Sequence, residues 1–137
     1  MRISQKIEYA CRALAQLAKR RASGQLTRLD EIAQTEVVSA NFLVQILADL
    51  RHAGLVVSHR GKDGGYELAR DAKQIRLAEI VESIDPGMFD FIMSQEGQSG
   101  ATVAKAWLTV AEKMRAELNQ ITLEDMALDP GAAMFYI

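Results

Sequence analysis

The sequence predicts a mainly α-helical chain with one small β-hairpin wing: a winged helix-turn-helix followed by a long C-terminal dimerisation helix. Three observations predict it. Apolar residues recur at spacings of three and four through most of the chain, the period of helices buried on one side. Two short helical segments meet at a tight break, and the second ends at Gly54, which is the pattern of a helix-turn-helix. Directly behind them, three glycines within five residues (Gly61, Gly64 and Gly65) separate two short apolar stretches, as in a hairpin.

The elements follow in order. Ile3, Ile7, Ala10, Cys11, Leu14, Leu17 and Ala18 form one apolar stripe on a helix from about Ser4 to Lys19. A second helix is expected to start at Thr27, which has the spacing of a capping box with Asp30. Leu29, Ile32 and Ala33 give it an apolar face, and the β-branched residues of Thr35 to Val38 are expected to break it. The third helix is read as Ala40 to Ala53, with Ser39 as N-cap and Leu43, Ile46, Leu47 and Leu50 as its buried face. Gly54 supplies the left-handed position that ends helices. Leu55 to Ser58 and Tyr66 to Leu68 read as strands around the Arg60 to Gly65 turn. Ile75 is expected to add a short strand, and Leu77, Ile80, Val81 and Ile84 mark another helix.

Asp85-Pro86-Gly87 then punctuates the chain. An irregular stretch with Met88, Phe89, Phe91, Ile92 and Met93 leads to the longest helix, about Ala101 to Gln120, roughly 30 Å long. Val103, Trp107, Val110, Met114, Leu118 and Ile121 form its single narrow stripe. Such a stripe suits pairing with a second helix, and packing on its own domain is the alternative. Thr122 and Asp125 repeat the capping-box spacing for a last short helix, and the tail Met134 to Ile137 is apolar. The division expected is a DNA-binding domain over residues 1–84, and a connecting loop, dimerisation helix and tail over residues 85–137.

Composition excludes several classes. With 137 residues, 49% hydrophobic and 25% charged, the chain is one ordinary globular domain or one with an attachment. No apolar run approaches a membrane span, and residues 1–10 lack the apolar stretch of a signal peptide. The location expected is cytoplasmic. One cysteine, Cys11, permits neither an internal disulfide nor a multi-cysteine metal site within one chain. The net charge of −2 hides an asymmetry: Met1–Arg76 carries 13 Lys+Arg against 8 Asp+Glu, hence +5, and Leu77–Ile137 carries 3 against 10, hence −7. The basic part is suited to phosphates, which the acidic part would repel.

On such a scaffold the third helix lays its N-terminal end in the major groove. Its outer side offers Ser39, Asn41, Val44, Gln45, Ala48, Arg51 and His52. Asn and Gln can pair with adenine, and Arg can read guanine or neutralise phosphate. Val44 either touches a thymine methyl or reduces polar base reading. Arg60, Gly61 and Lys62 form the wing tip, where Arg60 is suited to a narrow minor groove and Asp63 opposes phosphate. Arg2, Lys6 and Arg28 are further candidate phosphate contacts. Each of these also has the plain reading of a solvated polar residue. Tyr66 reads as packing at the wing root.

These residues also carry a resemblance. Tyr9-Ala with Arg12-Ala-Leu, Glu31-Ile-Ala, Phe42-Leu with Gln45-Ile-Leu, Leu50-Arg with Ala53-Gly-Leu-Val, and Arg60-Gly followed by Gly64-Gly-Tyr66-Glu-Leu together resemble the bacterial Rrf-type (IscR/NsrR/CymR-like) transcription regulators. The late Ile121-Thr-Leu-Glu-Asp is similar to that family's closing segment. The resemblance covers nearly the whole chain. It implies a homodimer joined through the Ala101 to Gln120 helix, dyad-symmetric DNA operators, and repression. It also implies that many relatives hold an iron–sulfur cluster on three cysteines in the loop before that helix, with a fourth ligand that some take from the first helix. Here Pro86 to Lys105 contains no cysteine, although Glu8 stands where some relatives place a carboxylate ligand. The expectation is therefore no cofactor and no metal.

Cys11 reads as a small core residue, with a thiol redox switch as the sharp alternative. His52 and His59 lack neighbouring cysteines and read as surface or phosphate-contact residues. Trp107 reads as dimer core. Met88 to Met93 either cover the dimer interface or line an effector pocket. The leading function is a homodimeric, sequence-specific DNA-binding transcription regulator, a repressor, without an iron–sulfur cluster. The alternatives are a winged-helix protein-interaction module that has lost DNA binding, and a Cys11 thiol-responsive regulator. An unknown effector or protein partner stays open. No nucleophile–base pair, phosphate loop or metal motif supports an enzyme.

Overall fold

The computed structural model describes residues 2–128. The expected apolar tail at residues 134–137 lies outside the described residues. The helices are α1 (Gln5–Arg21), α2 (Leu29–Glu36), α3 (Ala40–His52), α4 (Leu77–Ile84), α5 (Gly100–Leu118) and α6 (Leu123–Ala127). Strands β1 (Val56–His59) and β2 (Gly65–Leu68) follow α3, and a 3₁₀ turn at Ala72–Gln74 precedes α4. The two strands pair antiparallel, from Val56 opposite Leu68 to His59 opposite Gly65.

The main core is built on α1. Ala10, Ala13, Leu14 and Leu17 meet Ile32 of α2, the Leu43, Ile46, Leu47 and Leu50 face of α3, and Leu55, Leu68, Ile75, Ile80 and Leu123. Each large side chain so buried contributes roughly 1.5–3 kcal/mol. A smaller cluster joins Ile7, Val81, Phe89 and Ala111. Ser4 caps α1, its hydroxyl accepting from Ile7 N–H at 3.1 Å.

The structure differs from the sequence reading at four places. Thr27 does not cap α2. Its N–H donates to Tyr66 C=O at 3.0 Å and its C=O accepts from Tyr66 N–H at 2.8 Å, so this buried residue is bridged to the wing. The helix begins instead at Leu29, with Glu31 Oε1 accepting from Arg28 N–H at 3.2 Å. Second, α2 runs on to Glu36. Arg12 and Gln16 of α1 hold the Glu36 carboxylate, with Arg12 Nε at 3.2 Å, and this tertiary anchor outweighs weak local propensity. The chain turns at Val37, in a left-handed conformation with φ 55° and ψ 54°. That conformation costs a β-branched residue about 1–2 kcal/mol. Third, Ser39 occupies the N-cap position of α3 without a side-chain cap bond. Fourth, Ile75 forms no strand. It is fully buried behind the 3₁₀ turn, and its C=O accepts from Leu123 N–H at 2.8 Å. An isolated bridge pairs neighbouring Arg76 with Thr122.

That bridge returns the C-terminal segment to the first half. Leu77 N–H donates to Ile121 C=O at 2.8 Å, and α6 packs on α1. The Thr122–Asp125 capping box forms as the sequence predicts, with Thr122 N–H donating to Asp125 Oδ2 at 2.9 Å and Asp125 N–H to Thr122 Oγ1 at 3.2 Å. Between α4 and α6, α5 buries only Ala104 and Ala111. The irregular segment before it is pinned by Arg115, whose Nη2 donates to Phe89 C=O and Asp90 Oδ1, both at 3.2 Å.

Leu123 locks α6 into the core, so Leu123→Ala is expected to lower unfolding free energy by about 2–5 kcal/mol, measured by equilibrium urea denaturation. A loss below about 1 kcal/mol would contradict this packing.

Candidate nucleic-acid interface

Burial of one α3 face fixes what the other presents. With Leu43, Ile46, Leu47 and Leu50 inside, Asn41, Val44, Gln45, Arg51 and His52 are exposed, as is Ser39 just before the helix. Of the seven residues expected on the outer side of this helix and its cap, six are exposed, and half-buried Ala48 sits at the margin. The Ser39 hydroxyl, unused as a cap, stays available to a partner.

The wing stands beside this face for two reasons. Thr27 and Tyr66 bind its root to the segment before α2, as described. At its base two glycines are required by close approach: a Cβ on Gly64 would lie 2.3 Å from His59 O, and one on Gly65 2.8 Å from Thr27 O. Arg60, Gly61, Lys62 and Asp63 are exposed at the tip. Arg28 Nη1 donates to Lys62 C=O at 3.4 Å, and Arg51 Nη1 to Ser58 Oγ at 3.4 Å. Arg28 and Arg51 thus tie α2 and α3 to the hairpin. A cleft of about 470 Å³ lies among them, lined in part by Arg28, Arg51, Arg60 and His59, with Asp30 its sole carboxylate. Asp30 pairs with Arg28 at 3.5 Å. Among the described residues Arg51, Arg60 and Lys62 have no acidic partner. Such cations, with exposed amides alongside, can neutralise phosphates and hydrogen-bond base edges.

Other candidates are placed elsewhere. Lys6 is not free for phosphate: it pairs with Asp49 of α3 at 2.7 Å. The His52 ring Nδ1 lies 2.7 Å from Ala48 O, and His59 Nε2 lies 3.1 Å from Glu67 Oε1, so the two histidines are engaged locally and apart. Sequence reasoning missed Thr27 and Ser58 as the residues that seat the wing. A threonine shortly before a helix looks like a cap, and only the distant Tyr66 reveals otherwise.

The stripe residues of α5 divide. Val103, Trp107 and Val110 are exposed, Trp107 by 52%, and Leu108 beside them is exposed as well. Trp107 meets Phe91 edge-on at 5.9 Å. Met114 and Leu118 are half-buried and line an apolar groove of about 760 Å³ with Ile7, Val81, Met88 and Phe89. Met88 and Phe89 thus do line a groove, while Ile92 points away and is exposed.

Comparison with known proteins matches residues 3–129 to the family Rrf2, described as iron-dependent transcriptional regulator. Rv1287 of Mycobacterium tuberculosis is 41% identical over 132 residues, 93% of this chain and 81% of that one. The HTH-type transcriptional regulator CymR of Bacillus subtilis is 34% identical over 141 residues, covering 100% of both chains. The solved structure of that CymR, described as the global cysteine regulator, superposes with a TM-score of 0.82 at 30% identity, over 93% of this chain and 96% of that one.

A family described by iron directs attention to donors. The chain has one cysteine, and among the described residues no three His, Cys, Asp or Glu side chains gather as a metal site. Burial, with a smaller contribution from the nearby Glu8 carboxylate, pushes the Cys11 thiol up to about 11. At neutral pH it is a protonated, weakly nucleophilic thiol.

The thiol is therefore expected to alkylate with iodoacetamide at pH 8 at least about tenfold more slowly in the native protein than in urea. Its raised pKa also fixes a sign. The unfolded thiol ionises near 9 while the native one stays protonated, so stability falls as pH rises from about 9 towards 11. Cys11→Ala should flatten that decline; an unchanged slope would contradict the assignment.

Proposed function

We propose, from the premise that this chain belongs to the Rrf2 family of transcriptional regulators, that it is a homodimeric, sequence-specific DNA-binding repressor that works without an iron–sulfur cluster. The observation that carries the reading is the exposed outer side of α3 beside a wing whose Arg60 and Lys62 have no acidic partner among the described residues. Ser39, Asn41, Val44, Gln45 and Arg51 enter the major groove. Arg60, Gly61 and Lys62 follow the adjacent backbone or minor groove, and Arg28 braces the wing against phosphate. Catalysis has no part in this function.

Dimerisation is assigned to Val103, Trp107, Val110, Met114 and Leu118. A 19-residue helix that buries two alanines and exposes a tryptophan, two valines and a leucine is a surface that lone soluble chains rarely leave open. Residues 1–84 then carry the DNA contacts and residues 85–137 the pairing. A dimer spaces two α3 helices for a dyad-symmetric site, and repression needs only that the bound dimer occupy that duplex. A cytoplasmic location accords with this role; no described helix is long and apolar enough to cross a membrane.

The cysteine-ligated cluster does not fit this donor set. Three thiolates are needed before the long helix, and the one thiol present lies on α1, half-buried beside the apolar groove and protonated. The same protonation argues against the Cys11 redox alternative.

Two outcomes test the proposal. Arg60→Ala is expected to weaken binding to a selected site by about 1–3 kcal/mol and to lower the slope of log K against log salt by about 1, read by fluorescence anisotropy at several salt concentrations. Equal affinity and slope in both proteins would remove Arg60 from the interface. Trp107→Glu is expected to shift the protein from dimer to monomer in sedimentation equilibrium and to weaken operator binding in parallel. A dimer as tight as wild type would overturn the assignment of α5.

A further inference from the structure

Two exposed valines flank the end of α3 that is proposed to meet DNA, and the fold accounts for neither. Val44 stands on the outer side between Asn41 and the helix's following turn, next to Gln45, and is 51% exposed. Val37 is 82% exposed in the turn that leads into α3, and holds a left-handed φ of 55°. Neither belongs to either apolar cluster. A single exposed valine is ordinary. A β-branched residue that is strained, almost fully exposed and placed at the position where Gly or Asn relieves the strain is not.

Their surroundings restrict the partner. Arg51, further along the same helix, and Arg60 and Lys62 on the wing have no acidic partners among the described residues, so the surface that α3 shares with the wing suits a polyanion. Asn41 and Gln45 offer the amides that pair with adenine. In the major groove every base edge is polar except at thymine, whose 5-methyl group is the one apolar feature an aliphatic side chain can recognise. Resting on the DNA-binding reading above, we propose that Val44 and Val37 are specificity determinants that read thymine methyl groups, so that each half-site carries thymines beneath the N-terminal end of α3. Val44 reads from the helix, and Val37 reads from the turn just outside it.

Deoxyuridine tests this without altering any hydrogen-bonding group. Sites are selected from random duplex with the wild-type protein, and each thymine of the selected site is then replaced singly by deoxyuridine. Loss of one methyl contact is expected to weaken binding about fourfold, at one or two thymines in each half-site. Val44→Ala should abolish the sensitivity at one of these positions. Val37→Gly should abolish it at another, while melting no lower than wild type because the strain is relieved. Selective binding that tolerates every deoxyuridine overturns this inference and leaves the regulator reading intact. Sensitivity that survives both variants also overturns it. Failure to select any site overturns the regulator reading, and this inference with it.

Discussion

The contact of α3 with α1 is the constraint on which the rest of the molecule depends. Leu43, Ile46, Leu47 and Leu50 are fully buried against Ala10, Leu14 and Leu17. Turning α3 by one residue, about 100°, would expose several of these and bury Asn41, Gln45 or Arg51 in their place. At roughly 1.5–3 kcal/mol per large side chain, with further cost for burying unpaired polar groups, no such alternative competes. The outer face is therefore dictated by the inner one. Polar ties reinforce the setting: Lys6 reaches Asp49, and Arg12 holds the end of α2 through Glu36.

The wing depends on that arrangement in turn. β1 leaves α3 through Gly54 and Leu55, so the hairpin is fixed at one end by the core and at the other by the Thr27–Tyr66 bridge. The bridge makes the segment before α2 and the wing into one unit. Its cations then face the same side as α3. This gives the lopsided charge of the sequence a spatial sense. Of the Lys and Arg residues before residue 77, Arg28, Arg51 and Arg60 line the cleft, while the acidic excess of the sequence falls after residue 77. A polyanion approaching the whole chain is steered to one face.

Much of this was legible beforehand because the signals are local. The helical stripes of α1 and α3, the glycine-rich hairpin and the Thr122–Asp125 cap are short-range patterns and came out as read, except that Ile3 lies before α1 and is exposed. Three of the misreadings share one cause: a distant residue decided the local outcome. Thr27 had the spacing of a cap, but Tyr66 claimed its backbone. Thr35 and Glu36 looked like a break, but Arg12 and Gln16 extended the helix. Ile75 looked like a strand, but Leu123 made it a single tether. Val37 gave no signal of its left-handed backbone, since a valine is the last residue from which one would infer it. The candidate site was legible as a set of residues on α3 and the wing tip. The ties from Arg28 to Lys62 and from Arg51 to Ser58, which turn that set into one cleft, were not.

The long helix connects structure to function. It rests on the core through two alanines, whose small side chains leave its larger apolar residues outward. The α6 tether fixes its far end, so pairing of two such helices would set the distance between two reading heads. The most direct measurement is hydroxyl-radical footprinting of the wild-type protein on a selected duplex. The account predicts two protected blocks related by a dyad and centred one helical turn, about 10 bp, or a multiple of it apart. A single protected block without symmetry, or uniform cleavage at concentrations where the protein is dimeric, would contradict it.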